Sequence, residues 1–235
     1  MKKLLRNLYN LILINTPFYI IKSYVKNYFP NYRKKKYCLK IDERLYSNFR
    51  SVDLSKKWFS NNLFFLTKNL SNKKMMNLLE IGSYEGRSAL FFIDLFENSK
   101  ISCVDTWSGS DEHKDINFKE IESNFDFNTK DLTEKKLLKK FKMTSNEFFI
   151  QNKNNFDFIY IDGDHSKEQV LKDLNSAWSI LSNNGYLLID DYMWWYYKDL
   201  VNNPATSINN FIKTNLNEID RLIVWHQVLI QKKSI

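Results

Sequence analysis

Four short apolar runs in this 235-residue chain end in acidic side chains, and one of them passes through a spaced pair of glycines. Leu78-Leu79-Glu80-Ile81 leads into Gly82-Ser83-Tyr84-Glu85-Gly86-Arg87-Ser88. Ile101-Ser102-Cys103-Val104 ends at Asp105, Phe156 to Ile161 ends at Asp162-Gly163-Asp164-His165, and Gly185 to Ile189 ends at Asp190-Asp191. Glycine has no Cβ, so the 82–86 turn lets a ligand come close to the backbone. A helix starting near Gly86 would offer free N–H groups and positive dipole character to an anionic group. An acid about 20 residues further on is where a nucleotide-type site sets a carboxylate against ribose hydroxyls. An ionised carboxylate has two acceptor oxygens, enough for a vicinal pair.

The elements that must position these groups are legible from the alternation of runs. Strands are expected at 77–81, 100–105, 156–162 and from 185 to 189, with a weak one within 137–143. Helices are expected at 86–97, 131–136 and 166–181, and Thr144-Ser145-Asn146-Glu147 reads as a helix cap. Asp53-Leu54-Ser55 reads as a cap for a helix through Trp58 and Leu66. The polar run 108–124 reads as a lid with a short helix beginning near Asp111. Residues 222–230 read as a closing antiparallel pair. Strands alternating with helices of this length imply an α/β, doubly wound, mostly parallel Rossmann-like sheet. In such a sheet ligands bind outside the carboxyl ends of the strands, the edge where all four acids fall.

These motifs resemble those of class I S-adenosylmethionine-dependent methyltransferases, in particular the metal-dependent O-methyltransferases of catechol type and of macrocin and aminocoumarin sugar type. The resemblance covers roughly residues 75–230. It implies that Glu80, Gly82, Ser83, Tyr84, Gly86 and Ser88 surround the methionine moiety of S-adenosylmethionine. By the same resemblance Asp105 takes the ribose, with Thr106, Trp107 and Ser145 nearby. Trp107 reads equally as an adenine stack, an acceptor wall or a core aromatic, and Arg87 reads as solvent-facing. Asp162, Asp190 and Asp191 are similar to a divalent-metal site, and hard oxygen ligands suit Mg²⁺ or a similar ion; helix capping is the alternative for the Asp190-Asp191 pair. Sugar-type relatives place the base at Asp164 and catechol-type relatives at His165; either could instead cap the helix at Ser166, and the sequence leaves these open. His113 and His226 read as structural or surface residues. The aromatic run Tyr192-Met193-Trp194-Trp195-Tyr196-Tyr197 reads as an acceptor wall or as core.

The resemblance implies O-methylation of a hydroxyl on a glycan or small-molecule acceptor. A cephalosporin-hydroxylase-like oxygenase and a non-catalytic scaffold on the same fold are the rivals. An NAD-type dehydrogenase is disfavoured, because Gly82 and Gly86 do not fit G-x-G-x-x-G.

The net charge of +8 is unevenly spread. Residues 1–41 hold ten Lys or Arg and no Asp or Glu, whereas the remainder holds 25 basic against 27 acidic residues. We therefore divide the chain into a basic helical extension, 1–41, and a methyltransferase domain, 42–235. The basic character lies outside the domain, so a nucleic-acid partner is not expected. The extension has no apolar run of the ~20 residues that span a bilayer. Two readings stand for it: helices packed on the domain or on a homodimer partner, or a peripheral membrane contact that uses its apolar side chains and Arg33-Lys34-Lys35-Lys36. Two cysteines, Cys38 and Cys103, are too few for a disulfide framework, which fits a cytoplasmic setting.

Overall fold

The computed structural model describes residues 1–32, 35–53, 59–109 and 117–234. In chain order these form α1 (Lys2–Leu13), α2 (Phe18–Tyr32), α3 (Lys35–Leu45) and α4 (Leu63–Leu70). Then follow β1 (Asn77–Ile81), α5 (Arg87–Leu95), β2 (Lys100–Asp105), α6 (Phe118–Asn128), α7 (Lys130–Glu134), β3 (Leu138–Lys142) and α8 (Ser145–Gln151). The remainder is β4 (Phe156–Ile161), α9 (Lys167–Ile180), β5 (Leu181–Ile189), α10 (Pro204–Thr214), β6 (Ile219–Val224) and β7 (Val228–Lys232). Expectations placed on Leu54 and Ser55, on Arg33 to Lys36 and on Asp111 and His113 fall outside the described residues or side chains.

The chain divides into two compact units. In the unit Lys34–Lys153, β1 and β3 flank β2 and both pair with it in parallel. Leu78, Leu79, Ile101, Cys103 and Val104 are buried, as expected of strands covered on both faces. β3 is half exposed and carries three lysines, Lys139, Lys140 and Lys142, which is why its sequence reads weakly as a strand. Lys140 and Lys142 bond Glu122 of α6 at 3.0 and 2.6 Å. Thr144 caps α8 through a capping box with Glu147, satisfying two otherwise open N–H groups.

The other unit joins Met1–Arg33 to Asn154–Ile235. There β4 and β5 pair in parallel, and β7 runs antiparallel between β5 and β6. β5 begins at Leu181, four residues before the expected start, and the register shifts between Phe156 and Phe158. Ser166 caps α9 by accepting a hydrogen bond from the Gln169 N–H, and Pro204 opens α10, where its missing N–H costs nothing. Residues 1–32 are part of this unit's packing. α2 lies on β6, with Ile20, Tyr24 and Tyr28 buried at helical spacing. The Val224 N–H donates to Ser23 Oγ (3.0 Å), Asn209 Nδ2 to Thr16 Oγ1 (2.9 Å), and Trp195 Nε1 to Asn7 Oδ1 (3.2 Å).

Parallel strands alternating with helices and a closing antiparallel pair make this the α/β Rossmann-like fold that the sequence implied.

Candidate active site

The site residues divide between the two units. In Lys34–Lys153, Gly82 and Gly86 stand at φ +86° and +84°, where side chains are disfavoured. A Cβ on Gly86 would also lie 2.8 Å from Thr129 Cγ2 and 3.2 Å from Phe125 Cδ2. Tyr84, between the glycines, is held at φ +47°, which costs of order ~1–3 kcal/mol and needs surrounding support. That support is Asp105. Its Oδ2 accepts from the N–H groups of Ser83 (2.8 Å) and Tyr84 (2.9 Å), and its Oδ1 from that of Trp107 (2.8 Å). Three backbone donors thus occupy three of the roughly four acceptor directions of a carboxylate. Trp107 is itself at φ +47° and donates its indole N–H to the Tyr84 carbonyl at 2.9 Å.

Glu80 is fully buried beneath this turn and accepts a 3.5 Å contact from Cys103 Sγ. Burial, with Glu80 next, holds the Cys103 thiol well above its usual range, so it is neutral. Burial pushes the Tyr84 phenol up to about 12, with Glu85 and Asp53 adding. Ser83 and Ser88 are buried at the turn and at the first turn of α5. Trp107 is 4% exposed, packs on Phe125 at 4.8 Å and lies under Lys140 Nζ at 4.5 Å. Of the three roles left open for it, the core aromatic is the one its contacts describe. Thr106 Oγ1 accepts from the Ser108 N–H, and Ser145 is the first residue of α8.

Two residues here escaped sequence reasoning. Buried Glu85 accepts from the Val52 N–H (2.8 Å) and Asn124 Nδ2 (2.9 Å), and Asn128 ties Arg50 to the Glu85 carbonyl. These partners are 33 to 78 residues apart, so no local pattern announces them. Arg87 is a correction. Instead of facing solvent, its side chain is 14% exposed and pairs with Asp42 at 3.1 Å, and its guanidinium lies 4.3 Å from the Tyr46 ring centre. A cation stacked on an aromatic face is stabilised by the ring quadrupole.

In the other unit, β4 and β5 are neighbouring parallel strands whose ends carry the second group. One donor atom from each of Asp162, His165 and Asp191 lies within 4.8 Å of the other two. His165 Nε2 is 2.9 Å from Asp191 Oδ2 and 3.6 Å from Asp162 Oδ1. Asp191 reaches this position from a left-handed backbone, φ +54°. Asp190 points elsewhere. Its Oδ2 takes the Gln227 amide at 2.7 Å and a short contact from the Tyr160 hydroxyl, and its Oδ1 takes the Asp191 N–H at 2.8 Å. Tyr160 also bonds Asp162 Oδ2 at 2.9 Å. Of the three carboxylates expected to converge, the structure therefore gathers Asp162 and Asp191, adds His165, and turns Asp190 toward Tyr160 and Gln227. Asp164 is exposed, and its Oδ1 accepts the Ser166 N–H at 2.6 Å, at the start of α9.

Burial dominates the electrostatics of these acids, and their mutual repulsion adds to it. Burial pushes Asp162 up to about 6; His165 opposes the rise, and the like charge of Asp191 adds to it. Burial, with Asp162 and Asp191 next, holds Asp190 well above the carboxylate range. A cation among these groups would relieve the repulsion, and two carboxylates with one imidazole are a competent donor set for a divalent ion. Beside the cluster, the rings of His165 and Trp194 are 5.0 Å apart, and Trp194 stacks on Tyr196 at 4.9 Å. The 192–197 run is irregular rather than helical: Tyr192 is fully buried and Tyr196 is 53% exposed, so core and surface roles are shared along it.

Residues 79–192 match the family described as "Methyltransferase domain". The solved structure of the O-methyltransferase TomG from Streptomyces achromogenes, in complex with SAM, is similar to this chain with a TM-score of 0.54 and 11% identity, covering 86% of this chain and 92% of TomG. The MycE methyltransferase of the mycinamycin biosynthetic pathway, in complex with Mg, SAH and mycinamycin VI, is similar with a TM-score of 0.53 and 16% identity, covering 83% of this chain and 54% of MycE. The uncharacterized protein R132 of Acanthamoeba polyphaga mimivirus is 27% identical over 142 residues, which span 55% of this chain and 58% of that relative. Residues 79–192 thus match a methyltransferase domain, on a fold shared with solved methyltransferases.

Proposed function

We propose that the protein is an S-adenosylmethionine-dependent O-methyltransferase that methylates a hydroxyl of a glycan or small-molecule acceptor with the help of a divalent cation. The observation that carries this reading is the convergence of Asp162, His165 and Asp191 donor atoms at the ends of two parallel strands. In this reading residues 42–235 form the catalytic domain and residues 1–41 an extension.

Glu80 and the 82–86 turn receive the methionine moiety, with Gly82 and Gly86 admitting it and Ser83, Tyr84 and Ser88 surrounding it. Asp105 has a double task. Three of its acceptor directions hold the strained turn, and the remaining one serves a single ribose hydroxyl rather than the vicinal pair. Thr106, Trp107 and Ser145 border the nucleoside, with Trp107 contributing through its fixed backbone.

Asp162, His165 and Asp191 would hold Mg²⁺ or a similar ion, and Asp190, bonded to Tyr160 and Gln227, sets the end of β5 from which Asp191 projects. When bound there, the cation supplies Lewis acidity that lowers the pKa of an acceptor hydroxyl. If His165 held the ion through its lone pair, Asp164, whose Oδ1 accepts the Ser166 N–H, would be the carboxylate to accept the acceptor proton. The face of Trp194 and Tyr196 suits a sugar or planar ring. MycE, solved with Mg and SAH, supports the pairing of cofactor and cation, and TomG, an O-methyltransferase solved with SAM, supports the chemistry.

Isothermal titration with S-adenosylhomocysteine, followed by Mn²⁺, tests the reading. The expected result is a saturable site for each. Absence of any S-adenosylhomocysteine site would overturn the function, and cofactor binding with no Mn²⁺ site would overturn its metal half.

A further inference from the structure

α1 and α2 each lay one face on their unit and turn an apolar face outward. On α1 the inward positions are Leu4, Asn7 and Leu11. The outward stripe is Met1, Leu5, Tyr9 and Ile12, with Tyr9 and Ile12 both 62% exposed. On α2 the inward positions are Ile20, Tyr24 and Tyr28, and the outward ones include Phe18, Val25 and Phe29, with Phe18 78% exposed. Leu5, Tyr9 and Ile12 follow i, i+4, i+7 spacing and Phe18, Val25 and Phe29 follow i, i+7, i+11, as residues on one helix face do. Burial of one face explains why the helices are amphipathic, but it leaves the second set of large apolar residues without a packing reason. Large apolar side chains exposed along two helices in contact with each other mark an interaction surface.

The charge beside the patch says what it fits. Lys2, Lys3, Arg6, Lys22 and Lys26 lie in the same two helices, and the chain has no acidic residue before Asp42. Among the described residues no helix is long and apolar enough to cross a membrane. Exposed apolar side chains along helices whose charged residues are Lys and Arg alone match a surface of acyl chains beneath anionic headgroups. An apolar protein partner would not require so one-sided a charge. We propose that the outward face of α1 and α2 is a peripheral docking surface for anionic lipid membranes.

Docking is independent of the methyl-transfer reading and is tested separately. Full-length protein is floated with vesicles of phosphatidylcholine alone and with vesicles containing phosphatidylglycerol. It should rise with the anionic vesicles and stay behind with the neutral ones. Because each basic residue near such a surface contributes about fivefold in partitioning, Lys2→Gln with Arg6→Gln should lower binding by roughly twenty-five-fold. Tyr9→Ser with Phe18→Ser alters exposed positions only and should abolish flotation while the circular dichroism spectrum stays native. Equal flotation with both vesicle types, or none with either, overturns the proposal. So does a sedimentation-velocity dimer that the Tyr9→Ser, Phe18→Ser variant dissociates, since a second copy would then own the face.

Discussion

Among the acidic side chains, neighbours in sequence do different work. Asp190 and Asp191 are adjacent, yet one bonds Tyr160 and Gln227 while the other faces His165. His165→Gln and Asp191→Asn should each weaken Mn²⁺ binding at least tenfold, measured by calorimetry, with S-adenosylhomocysteine affinity unchanged. Asp190→Asn should keep most of the Mn²⁺ affinity; a loss as large as that of Asp191→Asn would count against the arrangement. A cation also competes with protons for its ligands. With Asp162 held up to about 6 by burial and the His165 imidazole also needing to be neutral, apparent Mn²⁺ affinity should fall steeply as pH is lowered through about 6. His226 gives a separate pH signature. Burial lowers its imidazole to about 4 from 6.5, so the unfolded chain binds more protons between those values. Its stabilisation is present above pH 6.5 and is lost as pH falls toward 4, at up to about 1.4 kcal/mol per pH unit. Asp162 works in the opposite sense without metal, stabilising below 3.8 and losing that as pH rises through 6. In metal-free urea melts, His226→Gln should therefore make the stability at pH 7 minus that at pH 5 less positive than in the parent protein.

At the level of elements, the β1–α5 connection is tightly constrained. Gly86 needs its left-handed φ and lacks room for a Cβ beside Thr129 and Phe125. Gly86→Ala should lower stability by about 1–3 kcal/mol by denaturant melts and weaken S-adenosylhomocysteine binding as well. A change in affinity with no change in stability would mean the turn is less strained than its backbone angles imply. α5 is pinned from outside itself: Arg87 reaches Asp42 and Ser60, and the Tyr46 hydroxyl donates to the Arg87 carbonyl at 2.8 Å. The helix that follows the glycine turn is thus held by residues that precede it by 27 to 45 positions.

For the chain as a whole, the charge asymmetry and the packing of residues 1–32 pull apart two ideas that the sequence joined. Every residue assigned a chemical role lies after residue 42, yet Asn7, Thr16 and Ser23 bond Trp195, Asn209 and Val224. Deleting residues 1–41 should uncover this buried polar and aromatic surface. The truncated chain should melt several degrees lower or fail to stay soluble, read by circular dichroism on both forms. An unchanged melting temperature would mean that the packing contributes little.

What the sequence determined by itself was local: the strand at 77–81, the strand at 100–105, the capping box at Thr144, the closing pair within 222–230, and the acids at the strand ends. Those follow from hydrophobic period, turn chemistry and capping, which act over a few residues. Only tertiary structure decided which way each carboxylate points. The aim of Asp190 depends on Tyr160 and Gln227, 30 and 37 residues away, and the aim of Asp191 on a left-handed backbone that no composition announces. The same holds for Arg87, whose burial depends on Asp42, and for Asp105, whose oxygens are filled by the turn it supports. A hydrogen bond is chosen by whichever partner the fold brings within about 3 Å, and that choice is written in the packing of distant segments rather than in the residues beside it.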